Sequence, residues 1–218
     1  MSNTAVSPRD KFLTTALALF AARGFYGVSL ADVARELGLT KQSILHHFKS
    51  KEALYGAVLA GLANRLNTVF EGSAPDPLTT FLHRLFAHLQ THPADARLIL
   101  RELLDNIDRA PQSQNWYLKD FLDKSDALLV QTGAANTATA EAHAVRMYQL
   151  IGAVHYFAIS TPTLTAMRGA EFVQGMADAF MSTLLNQVAH VSDGSGQQKT
   201  TKGADFRHSQ LDGAGDAP

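Results

Sequence analysis

The sequence predicts an all-α protein, a small N-terminal helix-turn-helix unit of three helices followed by a larger helical body, and three observations carry that expectation. Apolar residues recur at three- and four-residue spacing in every extended segment, and no strand alternation persists. Between Ser7 and Lys51, helix starts and stops follow in quick succession, with a glycine-bearing turn between two short helices. The 218 residues include no cysteine, so no disulfide or thiolate metal site can staple the fold, and an intracellular, cytoplasmic location is expected.

The first helix starts at Ser7, Pro8 and Asp10: a capping serine, a proline at the first helical position and an acid at the third. Phe12, Ala16, Leu19 and Phe20 supply its buried face. FLTTALALFAA has the superficial look of a signal-peptide core, but the helix start before it argues for an amphipathic helix. No run reaches the roughly 18 apolar residues of a membrane span, so no membrane partner is expected. Gly24 and Gly27 then bracket a turn. Ser29 and Asp32 form a capping box for a second helix with an apolar face of Leu30, Val33, Ala34 and Leu37. Gly38 stops it, where a positive φ is expected. Thr40 caps a third helix that buries Ile44 and Phe48, and Ser50 caps a fourth.

Charge is unevenly distributed around the net value of −1. Residues 1–51 hold seven Lys/Arg against three Asp/Glu, a balance of +4, leaving −5 for the remainder. A basic first unit on a slightly acidic body suits a local polyanion-binding module. In a helix-turn-helix the second helix lies in the major groove. A helical wheel sets Gln42 and His46 opposite Ile44, flanked by Ser43 and Leu45, as the side chains that would face bases.

Residues from about Pro8 to Tyr55 resemble the DNA-binding domain of the TetR family of bacterial transcriptional regulators. The resemblance lies in FAARGFYGVSL, LADVARELGLT and TKQSILHHFKSKEAL. It implies phosphate contacts from Ser29, Thr40, His47 and Lys51, and base-edge contacts from Lys41, Gln42 and Ser43. The wheel aims His46 at the groove, whereas the resemblance gives the phosphate to His47; His47 is preferred, because a side chain at the edge of the buried face still reaches the backbone. Leu45 departs from the family's usual tyrosine and can offer only apolar contact, for instance with a thymine methyl. Zinc between the adjacent histidines is disfavoured, since neighbouring helical positions diverge by about 100°.

The body begins with a long helix from Ser50 to Gly72, followed by helices starting at Pro77 and Pro93, the latter closed by Ala110 and Pro111. A further helix contains Trp116, Tyr117, Phe121, Leu122, Leu128 and Leu129 and ends near Gly133. Val145 to Ile159 is apolar on more than one face, and Phe172 to Val188 carries another apolar stripe, so both must be buried in a core or against a partner. The resemblance implies that this last pair forms a four-helix bundle with a second chain, for which Val154, Phe157, Phe172, Met176, Phe180 and Leu184 are candidates. Phe86, Leu103, Ile107, Trp116, Tyr117, Phe121, Tyr148, Ile151 and His155 are candidates to enclose a small apolar or amphipathic effector. His155 is equally compatible with a pocket, a dimer contact or a satisfied core histidine.

The domain expectation is therefore 1–51 for DNA binding, 52–191 for effector binding and dimerisation, and 192–218 as a disordered tail too polar to bury a core. The function expected is a homodimeric, ligand-responsive repressor on a pseudo-palindromic duplex, with no metal and no cofactor. One alternative is a constitutive regulator without effector. The other is an all-α enzyme using His88, His92 or His155, against which stands the lack of a phosphate loop, a nucleophile elbow or a zinc-protease motif.

Overall fold

The computed structural model describes residues 7–72, 74–105, 116–132 and 139–193, with side chains described through 187. Every regular element among them is helical: α1 (Pro8–Arg23), α2 (Leu30–Glu36), α3 (Lys41–His47), α4 (Lys51–Asn67) with a 3-10 turn at Thr68–Phe70, α5 (Pro77–Thr91), α6 (Pro93–Asp105), α7 (Lys119–Gln131), α8 (Ala140–Arg168) and α9 (Ala170–Asp193). Ile107, the Ala110-Pro111 stop, Gly133 and residues 194–218 of the expected tail lie outside the described residues.

The starts are set by local chemistry. Ser7, Ser29, Thr40, Ser50 and Asp76 each accept a hydrogen bond from the backbone N–H three residues on, and the Ser29–Asp32 box closes in both directions. Gly24 and Gly38 take φ of 71° and 67°, the left-handed values that side-chain-bearing residues resist. The long helix expected from Ser50 is shorter, ending at Asn67. The two last helices are longer than their apolar runs. α8 continues past Pro162, where the hydroxyls of Ser160 and Thr161 both donate to the Phe157 carbonyl, and stops at Gly169. Trp116 and Tyr117 precede α7 instead of belonging to it.

α1, α2 and α3 close around Phe12, Ala16, Phe20, Val33, Ala34 and Ile44. Phe20 meets Tyr55 of α4 edge-on at 4.8 Å, joining this head to the body. The body holds two aromatic knots: Phe70, Phe81 and Phe121 among the 3-10 turn, α5 and α7, and Phe86, Phe157 and Phe180 among α5, α8 and α9. α6 packs on α1, α5 and α8 and runs from the body to the head. Its first turn is held by Arg65 of α4 and His88 of α5 on Asp95, and by His155 of α8 on the Ala96 carbonyl. Its far end meets the head, where Glu102 accepts from Tyr55 at 2.6 Å, Arg101 donates to the Ala22 carbonyl and Asp105 accepts the Phe25 N–H at 3.0 Å.

Candidate nucleic-acid interface

α3 is a short helix held by one side chain. Ile44 is fully buried, Ser43 half-buried, and Lys41, Gln42, Leu45, His46 and His47 are exposed. Thr40 caps the helix, its Oγ 3.1 Å from the Ser43 Oγ, so these two hydroxyls are engaged with each other. Neither histidine is sequestered: the rings meet edge to face at 5.4 Å, and His47 also lies 5.5 Å from the Phe12 ring, at the margin of the buried face where the wheel sets it.

Cations stand at both ends of α3. Past its C-terminus the Arg9 guanidinium lies 5.3 Å over the Phe48 ring. Sequence reasoning counted Arg9 only as charge; the residue comes from another helix, and nothing local signals its place. At the other end Lys41 and Lys51 line an open hollow with Tyr26, Ser29 and Asp32, and the Lys51 ammonium sits 4.2 Å above the Phe25 ring. Ser29 is exposed, but its hydroxyl donates to Asp32 at 2.6 Å and accepts from the Asp32 N–H. The Ser29 hydroxyl and N–H, with a smaller contribution from Arg35, hold the Asp32 carboxyl down to about 2. A phosphate contact from Ser29 therefore competes with an ionised carboxylate for the same hydroxyl.

The body candidates do not converge on one chamber. Phe121 is buried and packs on Phe70 and Phe81, which with Val69, Pro77, Arg84 and Leu128 line a groove of about 240 Å³. Phe86 belongs to the other aromatic knot, and Ile151 packs on the core. Trp116 is half-buried, with an indole N–H that is buried and has no hydrogen-bond partner. Leu103, Tyr117 and Tyr148 are exposed, Tyr148 to 78%, and the Tyr117 hydroxyl lies against Gly56 of α4.

The histidines of the body have structural partners. His155 donates from Nε2 to the Ala96 carbonyl at 2.7 Å, and burial pushes its pKa below 6.5, partly offset by that bond. His88 is 3.0 Å from the Asp95 carboxylate, which also takes two bonds from Arg65 at 2.9 and 2.6 Å. Burial pushes Asp95 up, but these bonds outweigh it and hold the carboxyl below the ordinary range. His88 is thus hydrogen-bonded into a mostly buried cluster with Asp95 and Arg65; His92 stacks on it at 4.4 Å. Among the described residues no group of His, Cys, Asp or Glu is arranged to hold a metal ion.

The residues expected to face a partner differ in exposure. Val154, Phe157 and Leu184 are buried within their own chain and have no surface to offer; Met176 and Phe180 are half-buried, and Phe172 is exposed. The outward apolar side chains of α8 and α9 are instead Val145, Tyr148, Tyr156, Met167 and Phe172. No helix among the described residues is long and apolar enough to cross a membrane.

Residues 12–58 match the family model described as bacterial regulatory proteins, tetR family. The chain is 30% identical over 131 residues to the HTH-type transcriptional regulator RutR of Escherichia coli (strain K12), a stretch covering 57% of this chain and 62% of the relative. It is 31% identical over 61 residues to the biofilm operon icaADBC HTH-type negative transcriptional regulator IcaR of Staphylococcus aureus (strain COL), 28% of this chain and 33% of that one. The fold is similar to that of the ketosteroid transcriptional regulator KstR2 of Mycobacterium tuberculosis, with a TM-score of 0.62 at 18% identity over 85% of this chain and 97% of the other. It is also similar to the fatty acid degradation regulator FadR of Bacillus halodurans, with a TM-score of 0.58 at 15% identity over 84% and 97%.

Proposed function

We propose, for a chain that belongs to the TetR family of bacterial transcriptional regulators, that it acts in the cytoplasm as a homodimeric repressor, binding a pseudo-palindromic operator and released by a small apolar or amphipathic effector. The observation that carries the reading is the exposure of Lys41, Gln42, Leu45, His46 and His47 on a helix anchored by the buried Ile44, with cations beyond each end. Lys41, Gln42 and Ser43 read base edges; Leu45 and His46 border them; Thr40, His47 and Lys51 hold the backbone. Ser29 serves first as the cap of α2.

Pairing follows from the outward face of α8 and α9, where Val145, Tyr148, Tyr156, Met167 and Phe172 leave an apolar strip that a second copy covers. Two heads about 34 Å apart then read successive major-groove faces. The effector's seat is the groove at Phe70 and Phe81, against which Phe121 packs. α6 joins the body to the head, through Asp95 and Ala96 at one end and Arg101, Glu102 and Asp105 at the other, so a ligand that shifts α6 changes the spacing of the heads. A coupling of about 1–3 kcal/mol alters operator affinity roughly 5- to 150-fold.

Selection of bound sequences from a random duplex pool with purified protein tests the reading. One recovered pseudo-palindrome is the expected result. Recovery of nothing above the salt-sensitive background sinks it.

A further inference from the structure

We propose that Tyr26 is a DNA-backbone contact, its phenol donating to a phosphodiester oxygen seated in the hollow between Lys41 and Lys51. The inference rests on the reading of the chain as a DNA-binding regulator and adds a residue that neither the wheel nor the family pattern supplied.

The hollow is formed by Tyr26, Gly27, Ser29, Asp32, Lys41 and Lys51, encloses about 470 Å³ and stands open along one side, a shape that admits a strand laid across it. Two ammonium groups face one carboxylate there. That carboxylate is already occupied: Asp32 takes the Ser29 hydroxyl at 2.6 Å, the Ser29 N–H at 2.9 Å and the Arg35 guanidinium. The field left at the mouth of the hollow is positive. The Ser29 hydroxyl, being spent on Asp32, is a poor donor to anything arriving.

Tyr26 is the neutral donor that remains. Its side chain is 63% exposed, and its phenol has no hydrogen bond within the chain among the described residues. Its position is fixed nonetheless. The ring stands edge-on against Phe25 at 5.3 Å and 82°, and the Phe25 N–H is held by the Asp105 carboxylate. Phe25 in turn carries the Lys51 ammonium on its face, so the ring, the cation and the turn form one rim. Gly27 makes that turn tight: a Cβ there would lie 2.3 Å from the Arg23 carbonyl oxygen, so the chain bends sharply and leaves Tyr26 on the outside. Tyrosine is among the side chains that donate to phosphate, and such contacts fix register without reading sequence.

The test uses the full chain and two duplexes, one of arbitrary sequence and one selected from the random pool, with binding followed by fluorescence anisotropy across a salt series. Tyr26→Phe keeps the ring and removes the donor. It is expected to weaken binding to both duplexes by the same factor, about 3- to 10-fold for an exposed bond to an ionised group, with the slope of log affinity against log salt unchanged. Lys51→Gln, by contrast, flattens that slope by about 1. A methylphosphonate at the rim position is expected to cost Tyr26→Phe less than it costs the wild type, the difference being the phenol's share, because Lys41 and Lys51 lose the same charge in both. Tyr26→Phe binding like wild type while Lys51→Gln is weakened overturns the proposal, leaving the hollow to its cations alone. A loss confined to one sequence also overturns it, since that is a base contact. A wild type that binds neither duplex brings down the DNA-binding reading itself, an outcome distinct from both.

Discussion

His155 sits half-buried in α8 with its Nε2–H on the Ala96 carbonyl, and burial holds its pKa below 6.5. As pH falls through about 6.5 the unfolded chain takes up a proton that the folded chain refuses, so stability present above that value is lost as pH drops toward the folded pKa. Urea unfolding at about pH 7.5 and 5.5 is expected to show wild type less stable at the lower pH, and His155→Gln with a smaller difference between the two. An unchanged difference in the variant places that pH dependence elsewhere. The residue also shows where sequence reading stops. Helix caps at Ser7, Ser29, Thr40, Ser50 and Asp76 were legible because cap and partner lie three residues apart. Whether His155 met a ligand, a partner or its own core depended on a carbonyl 59 residues away. Tyr26 was read only as part of a turn, because its neighbours Lys41 and Lys51 arrive from other helices.

Among the elements, α6 carries polar contacts that no local pattern announced. Its partners lie 30, 47 and 80 residues off in the chain: Arg65 on Asp95, Tyr55 on Glu102, and the Phe25 N–H on Asp105. Sequence periodicity placed the helix and its start at Pro93, but periodicity describes one face of one helix and is silent on which charges meet across two. Asp95 is 1% exposed, so Arg65→Met leaves a buried carboxylate with His88 as its remaining side-chain partner. A fully buried pair broken in this way costs about 3–5 kcal/mol. The Arg65 side chain is 36% exposed, and solvent screening brings the expected loss down to about 1–3 kcal/mol in urea unfolding. Arg65→Met with Asp95→Leu is expected to recover part of that loss, and a double variant no better than the single one contradicts this account. At the head end Asp105→Ala removes the acceptor of the Phe25 N–H, which steadies the rim carrying Tyr26; operator binding is expected to weaken and the effector's influence on it to shrink, measured by titrating the selected duplex with and without effector.

On the scale of the whole molecule, the sequence revealed that α8 and α9 are too apolar to be solvated, but not which stripe faces out. The ambiguity is physical. Met147, Leu150, Val154 and Ala158 form one apolar row on α8, Val145, Tyr148, Gly152 and Tyr156 run beside it, and periodicity alone cannot rank them. Packing within the chain decides: the first row is buried, and of the second Val145, Tyr148 and Tyr156 are the large apolar side chains left exposed. If that strip is where two copies meet, charge placed on it opposes association without disturbing the core beneath. Tyr148→Asp with Tyr156→Asp is therefore expected to keep wild-type helicity by circular dichroism and to give the mass of a single chain by light scattering. A single head keeps its base contacts but loses the linked second site, so affinity for the selected pseudo-palindrome is expected to fall by about 10²-fold or more, toward that of an isolated half-site. A variant that remains dimeric and binds the full site undiminished moves the interface off this strip. A monomer whose affinity is also undiminished severs pairing from operator recognition, because one head would then suffice to read the site.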